Sequence, residues 1–225
     1  ALTRAVLQSA VELGAEFECP AHFWGAELHA SGSQVHYRSQ SKEQSCAARV
    51  VVNAAGPWAN EAMRLVQPAP ELMPVDLVQG THIEMPGFTG PRFYYLESPR
   101  DGRAVFVMPR EGRLVIGTTE KHYKGHPDDV TPTHAEENYL LNVLHHYFPE
   151  LGHLGRQDML CSWAGLRVLP GGEGKAFRKS RETILHTDRT NKPRWLTVYG
   201  GKLTTYRTTA EKVIERISGG LPERR

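Results

Sequence analysis

Gly200-Gly201-Lys202-Leu203-Thr204-Thr205-Tyr206-Arg207 is the stretch on which the reading of this chain turns. Trp195-Leu196-Thr197-Val198-Tyr199 precedes it as a short run of β-formers, and Ala210, Val213, Ile214 and Ile217 follow it at helical spacing. The pattern predicts a strand, a diglycine turn and a helix start. The first turn of a helix leaves backbone N–H groups unpaired and carries the positive end of the macrodipole. Two glycines let a ligand approach that backbone closely. The corner is therefore suited to an anion or an electron-rich carbonyl. Phosphate qualifies, and so does the pyrimidine edge of a flavin, which gains negative charge on reduction. A tight strand-to-helix turn without ligand accounts for the same residues.

Outward from that corner the chain alternates strands with few helices. Arg49-Val50-Val51-Val52 reads as a strand buried on both faces, and the small residues Asn53-Ala54-Ala55-Gly56 end it. Small side chains at that end of a parallel strand are what close approach of a dinucleotide requires; a plain Gly-Pro turn is the alternative. Leu2, Ala5, Val6, Ala10, Val11 and Leu13 form an amphipathic stripe ended by Gly14, a crossover helix. Residues 26–30 and 34–38 flank Ser31-Gly32-Ser33 as a hairpin. Pro68, Pro70 and Pro74 mark the crossing into a second domain. Strands are predicted at 75–85, 92–96, 104–108 and 114–118, the last two paired through the turn at 109–112. Thr133 and Glu136 form a capping box for a helix whose core stripe is Tyr139, Leu140, Val143, Leu144, Tyr147 and Phe148. Further strands read at 159–167, 183–186 and 195–199. The glycine-rich loop at 171–174 lacks the Lys-Ser/Thr ending of a phosphate-binding loop.

Composition narrows the class. The net charge of +2 argues against wholesale nucleic-acid binding, but its distribution is uneven. Residues 151–225 carry 15 Lys and Arg against 7 Asp and Glu, whereas residues 1–150 carry 12 against 18. A basic last third suits an anionic ligand; a solvated basic face is the other reading. Three separated cysteines match neither a zinc site nor a disulfide framework, which suggests a reducing, intracellular setting. The histidines are too scattered to suggest a metal site. No run approaches the ~18 apolar residues of a spanning helix.

Two side chains stand out as reagents. Arg167 ends a predicted strand, and its planar fork of donors matches phosphate or carboxylate. His82 lies mid-strand with a near-neutral pKa, as an acceptor of a hydroxyl proton requires. An exposed arginine and a core or surface histidine are the plainer readings.

Five stretches, in order, carry a resemblance: Val51-Val52-Asn53-Ala54-Ala55-Gly56-Pro57-Trp58, Gln79-Gly80-Thr81-His82-Ile83, Val115-Ile116-Gly117-Thr118-Thr119, Trp163-Ala164-Gly165-Leu166-Arg167 and the Gly200–Arg207 corner. Together they resemble the FAD-dependent glycerol-3-phosphate dehydrogenases and oxidases of the D-amino-acid-oxidase-like flavoprotein superfamily, over roughly residues 45–217. The resemblance implies a mixed α/β fold: part of a Rossmann-like FAD-binding domain from residues 1–68 and 195–225, and a substrate domain with a largely antiparallel sheet from 69–194. It implies FAD as cofactor, with Ala55, Gly56, Trp58, Gly200, Gly201, Lys202, Leu203 and Thr204 at the flavin. It places Arg167 beside the flavin facing substrate, His82 close to the substrate, and Thr118 and Arg181 among the substrate contacts, Arg181 near the phosphate. Trp58 could equally serve packing, Thr118 and Thr119 could be core-facing, and Arg181 could be a surface arginine.

The activity so implied is oxidation of sn-glycerol 3-phosphate to dihydroxyacetone phosphate, with electrons passing to quinone or oxygen. The location implied is cytoplasmic, with peripheral contact at the inner membrane face as an option. The chain contains no Gly-x-Gly-x-x-Gly turn, which in the family lies near the N-terminus. The expectation is therefore an excised piece of a longer flavoprotein that alone binds FAD weakly or not at all and is inactive. An oxidase or dehydrogenase of an amino acid or 2-hydroxy acid keeps the same fold, and a non-catalytic anion-binding domain is the alternative of another class.

Overall fold

A computed structural model describes residues 2–87, 89–171 and 182–221. The elements run α1 (Leu2–Glu12), β1 (Ala21–His29), β2 (Gly32–Ser39), β3 (Lys42–Ala48), β4 (Val51–Asn53), α2 (Ala59–Arg64), β5 (Val66–Gln67), β6 (Val75–Pro86), β7 (Tyr94–Glu97), β8 (Ala104–Arg110), β9 (Arg113–Gly117), β10 (Lys121–Tyr123), α3 (His134–Tyr147), β11 (Cys161–Pro170), β12 (Ile184–Thr187), β13 (Trp195–Tyr199) and α4 (Tyr206–Ile217). They form three sheets, of four, six and three strands. The mixed α/β class with an antiparallel sheet is as the sequence implied.

The six-stranded sheet is antiparallel throughout and is built on β6. β11 pairs along one edge of β6, from Cys161 opposite Glu84 to Pro170 opposite Val75. The other edge is shared: β9 takes His82–Pro86 and β10 takes Leu77–Gln79. Residues 118–120 fill the gap between those two ladders. One face of the sheet buries Ile83, Met85, Val105, Val107, Leu114 and Ile116 against Leu140, Val143 and Leu144 of α3. That apolar burial is the main force holding α3 down. The capping box forms as read from the sequence, with Thr133 and Glu136 bonded reciprocally. Tyr147 departs from the predicted stripe: it is 41 % exposed and donates its hydroxyl to the Glu97 carbonyl at 2.7 Å. Its phenol can reach a carbonyl at the sheet margin, and Leu141, unread in the sequence, is buried in the core instead.

The β8–β9 hairpin turns on Glu111 (φ 53°) and Gly112 (φ 76°), the left-handed pair that a two-residue connection requires. The hairpin predicted around residues 31–33 also forms, with Leu28 opposite Ser33 in β1 and β2.

The smallest sheet has the order β12-β13-β4, with β13 and β4 parallel. β12, which lies within the predicted 69–194 segment, pairs with β13. α4 packs Val213 and Ile217 on Leu196 of this sheet. The expectation that β4 is buried on both faces does not hold. Val52 is 41 % exposed because β4 is an edge strand that spans three residues here. Asn53 is buried and ties the turn beyond β4 together, donating to the Ala59 carbonyl and accepting from the Ala55 N–H. α1 buries none of its residues. No helix among the described residues is long and apolar enough to cross a membrane.

Candidate functional site

The diglycine corner folds as its sequence requires. β13 ends at Tyr199, then Gly200 and Gly201 take φ of 72° and 95°. Those left-handed values are strained for any residue with a Cβ. A Cβ on Gly201 would meet the Thr183 hydroxyl at 2.9 Å. Lys202 is the extended residue before a single helical turn, Leu203–Thr205, which leads into α4. The parallel neighbour β4 ends in a similar small-residue turn, where Gly56 has φ 56° and open space around the position of a Cβ.

These two turns face β11 across a cleft of about 360 Å³. Its lining includes Gly56, Arg167, Val168, Gly200, Gly201 and Lys202. Four of the predicted flavin contacts and the predicted substrate arginine therefore share one cavity. Leu203 and Trp58 stand outside that lining and are largely exposed, at 66 % and 39 %. Thr204 is exposed on the helical turn, and Ala55 forms the start of the Gly56 turn. Trp58 donates its indole N–H to Asp128 at 3.0 Å, so this turn is tied to the loop that follows β10. Arg181 lies outside the described residues.

Arg167 is aimed by the sheet. It sits on β11 opposite Val78, and its guanidinium reaches across β6 to donate to the Thr118 hydroxyl at 3.2 Å. Gly80 makes that crossing possible. A Cβ there would meet Thr118 Oγ1 at 2.5 Å and Arg167 Nη2 at 2.8 Å. His82 is two residues further along β6, on the same face. Its ring stacks on Trp163 of β11, with centroids 5.4 Å apart and planes 6° from parallel. Gly117 of β9 leaves room for the ring on its other side, where a Cβ would collide with the imidazole. Burial pushes the His82 pKa below its ordinary 6.5, and the Arg167 charge pushes it further the same way. The imidazole is therefore neutral at physiological pH and able to accept a proton.

Arg167 thus lines the glycine cleft, and His82, neutral and stacked on Trp163, lies outside that lining on β6, the strand that the Arg167 side chain crosses. Gly80, Gly117 and Asn53 complete the arrangement, and none of them was singled out for this from the sequence. A glycine inside a strand pattern is the one local signal available for the first two. A flavin suits this cleft on steric grounds: positive-φ glycines on one wall, open space at Gly56, and exposed apolar Leu203 and Trp58 beside it. Among the described residues, no cluster of three or more His, Cys, Asp or Glu could hold a metal ion.

The D-erythritol 1-phosphate dehydrogenase of Brucella abortus is 36 % identical over 178 residues, which is 78 % of this chain and 35 % of that protein. The aerobic glycerol-3-phosphate dehydrogenase of Escherichia coli is 35 % identical over 181 residues, 79 % of this chain and 36 % of that protein. The chain thus spans little more than a third of the length of these curated relatives. Among solved structures, the Bacillus halodurans glycerol-3-phosphate dehydrogenase complexed with FAD superposes with a TM-score of 0.81 at 26 % identity, covering 96 % of this chain and 41 % of that one. The sequence model of the FAD dependent oxidoreductase family matches residues 1–207. With that match over most of its length, and with the glycine corner and arginine on one cleft, the chain belongs to the FAD dependent oxidoreductase family.

Proposed function

We propose that this chain forms the substrate sheet and one wall of the flavin site in an enzyme that oxidises sn-glycerol 3-phosphate to dihydroxyacetone phosphate. The observation that carries the reading is the position of Arg167, which lines one cleft with Gly56 and the Gly200–Lys202 corner. Residues 1–68 and 195–225 belong to the cofactor part, to which β12 adds an edge strand, and the remainder to the substrate part.

Gly56, Gly200 and Gly201 give the cofactor access to the backbone, and Lys202 adds positive charge at the same corner. When bound, FAD supplies the acceptor for the hydride leaving the alcohol carbon. This chain supplies the rest. Arg167 grips the phosphate through charge-assisted hydrogen bonds, and Thr118 holds the guanidinium in place. His82, neutral and stacked on Trp163, takes the hydroxyl proton as the carbon is oxidised. Arg181 is proposed as a second contact to the phosphate. The electrons pass onward to quinone or oxygen, and the protein is proposed to be cytoplasmic with peripheral contact at the inner membrane face.

D-erythritol 1-phosphate is the second reading, since the Brucella relative is named for it. Both compounds are phosphate monoesters of polyols, and the same arginine serves either. The test is Arg167→Ala in the complete flavin-loaded enzyme. Loss of a charge-assisted contact of about 1.5–3 kcal/mol raises KM for the phosphorylated substrate by roughly one to two orders of magnitude. An unchanged KM refutes the assignment. A panel of glycerol 3-phosphate, erythritol 1-phosphate, amino acids and 2-hydroxy acids identifies the substrate class.

A further inference from the structure

Glu136 does more in this fold than a helix cap requires. A capping box needs its carboxylate only to reach back to the Thr133 N–H, which it does at 3.2 Å. Its shorter bonds go elsewhere: the Thr119 hydroxyl at 2.6 Å, the Thr133 hydroxyl at 2.7 Å and the Gln79 amide at 2.8 Å. The residue is 6 % exposed. A carboxylate is costly to bury unless its oxygens are satisfied. Every group facing this one is a donor, and only an ionised carboxylate can accept from all of them. Burial alone would raise its pKa, but the hydrogen bonds from Thr119 and Thr133 outweigh that and keep it low.

Thr119 sits at the break in the sheet edge, between β9 and β10. There the Thr81 N–H, which a regular ladder would pair with a carbonyl, donates instead to Thr119 Oγ1 at 2.8 Å. With its oxygen engaged by that N–H, the Thr119 hydroxyl directs its proton to Glu136. The Thr119 N–H returns to the Thr81 carbonyl at 3.2 Å. The far end of the break is fixed as well, by Arg103 donating to the Glu120 carbonyl and carboxylate at 2.9 and 2.7 Å. Interruptions of this kind re-aim side chains beside functional sites. Here the re-aimed residue is Thr118. Its hydroxyl donates to the Thr119 carbonyl at 3.1 Å, which leaves its oxygen to accept from Arg167 at 3.2 Å. Donor direction is thus set at every step from the Glu136 carboxylate to the guanidinium.

We propose that Glu136 is a positioning residue for substrate binding: through Thr119 it holds the break in the β6 edge that points Thr118 at Arg167. This rests on the reading of Arg167 as the phosphate-binding arginine.

The experiment measures the dissociation constant for sn-glycerol 3-phosphate by calorimetry, with KM, kcat and melting temperature, in the complete flavin-loaded enzyme. Thr119→Val removes the hydroxyl at nearly constant volume, Thr119→Ser retains it, and Glu136→Gln puts a donor where only an acceptor fits. Thr119→Val and Glu136→Gln are expected to raise Kd and KM by about three- to tenfold, the range corresponding to one lost hydrogen bond, while kcat stays within about twofold. Thr119→Ser restores the wild-type constants, and the double variant is no worse than the weaker-binding single one. A fall in melting temperature with Kd and KM unchanged in Thr119→Val makes the network a helix anchor only and overturns the proposal. Arg167→Ala separates the two levels. If it weakens binding and Thr119→Val does not, the positioning role alone fails. If Arg167→Ala leaves Kd unchanged, the reading beneath it fails too.

Discussion

The two walls of the cleft are made in opposite ways. The wall formed by β13, β4 and their turns works with backbone: Gly200, Gly201 and Gly56 present main chain in left-handed conformations, and a short sheet with an exposed edge supports them. The other wall is β11, and it works with a side chain: Arg167 lines the cleft, while His82 and Thr118 lie outside the lining on neighbouring parts of a sheet whose other face is sealed by α3. A backbone cradle needs only local conformation. An aimed side chain needs its neighbours held, and each reagent here lies beside a glycine that makes room for it. Glycine thus serves two purposes here, conformation at the cleft corner and clearance beside Arg167 and His82.

That contrast is most easily broken at Gly117. In Gly117→Ala the new methyl collides with the His82 ring. Forcing it into a packed sheet is expected to cost about 1–3 kcal/mol, read as a lower denaturation midpoint, and to reduce kcat/KM at least about tenfold because the base is displaced. If the variant keeps wild-type stability and rate, clearance is not the role of this glycine. Next in size is Gly201→Ala on the other wall. The φ of 95° and the Thr183 contact predict strain of about 1–2 kcal/mol. The expected signature differs: weaker FAD retention, followed by flavin fluorescence, with the His82 pH profile unmoved.

The pH profile sharpens the side-chain wall. His82 has its pKa depressed by burial and by Arg167. As the proposed base it must be neutral, so kcat/KM is expected to fall as pH drops through a value below the ordinary 6.5. Replacing Arg167 by Met removes a positive charge, favours the protonated ring and moves that acid limb to higher pH. Stability follows the same sign. The unfolded chain protonates this histidine first as pH falls, so the folded state loses stability below about 6.5. A limb that stays in place in Arg167→Met uncouples the two residues. The smallest effect is expected where the Gly56 turn is tied to the loop after β10. Trp58→Phe deletes the bond to Asp128 at the protein surface and should cost about 0.5–1 kcal/mol, with a modest loss of FAD affinity and no change in the pH limb.

Much of the backbone wall was legible in advance. A diglycine between β-formers and a helical repeat has few conformations open to it, and Gly200 and Gly201 adopt the expected one. The Thr133 cap also forms as read, while the turn expected at 109–112 narrows to Glu111-Gly112 because Pro109 and Arg110 join the ladder. The side-chain wall was legible only as a set of residues, through the resemblance of the stretches that carry them. No pattern near Arg167 foretells Thr118, its partner 49 residues away, or Gly80 beneath the guanidinium. Val52 shows the converse: an apolar run looked like a core strand, and its place at a sheet edge left it exposed.

What the amino-acid order determined alone is conformational: where φ must be positive, where a helix begins, where a hairpin turns. These follow from sterics and hydrogen bonds within a few residues. Which strands lie side by side, and so which side chains come together beside the cleft, was decided by the tertiary structure. β11 meets the edge of β6 because burying one sheet face under α3 selects a strand order among segments distant in sequence. Arg167 therefore meets Thr118 through packing, since the chemistry of an arginine is compatible with many partners and the register of the sheet decides which come within reach.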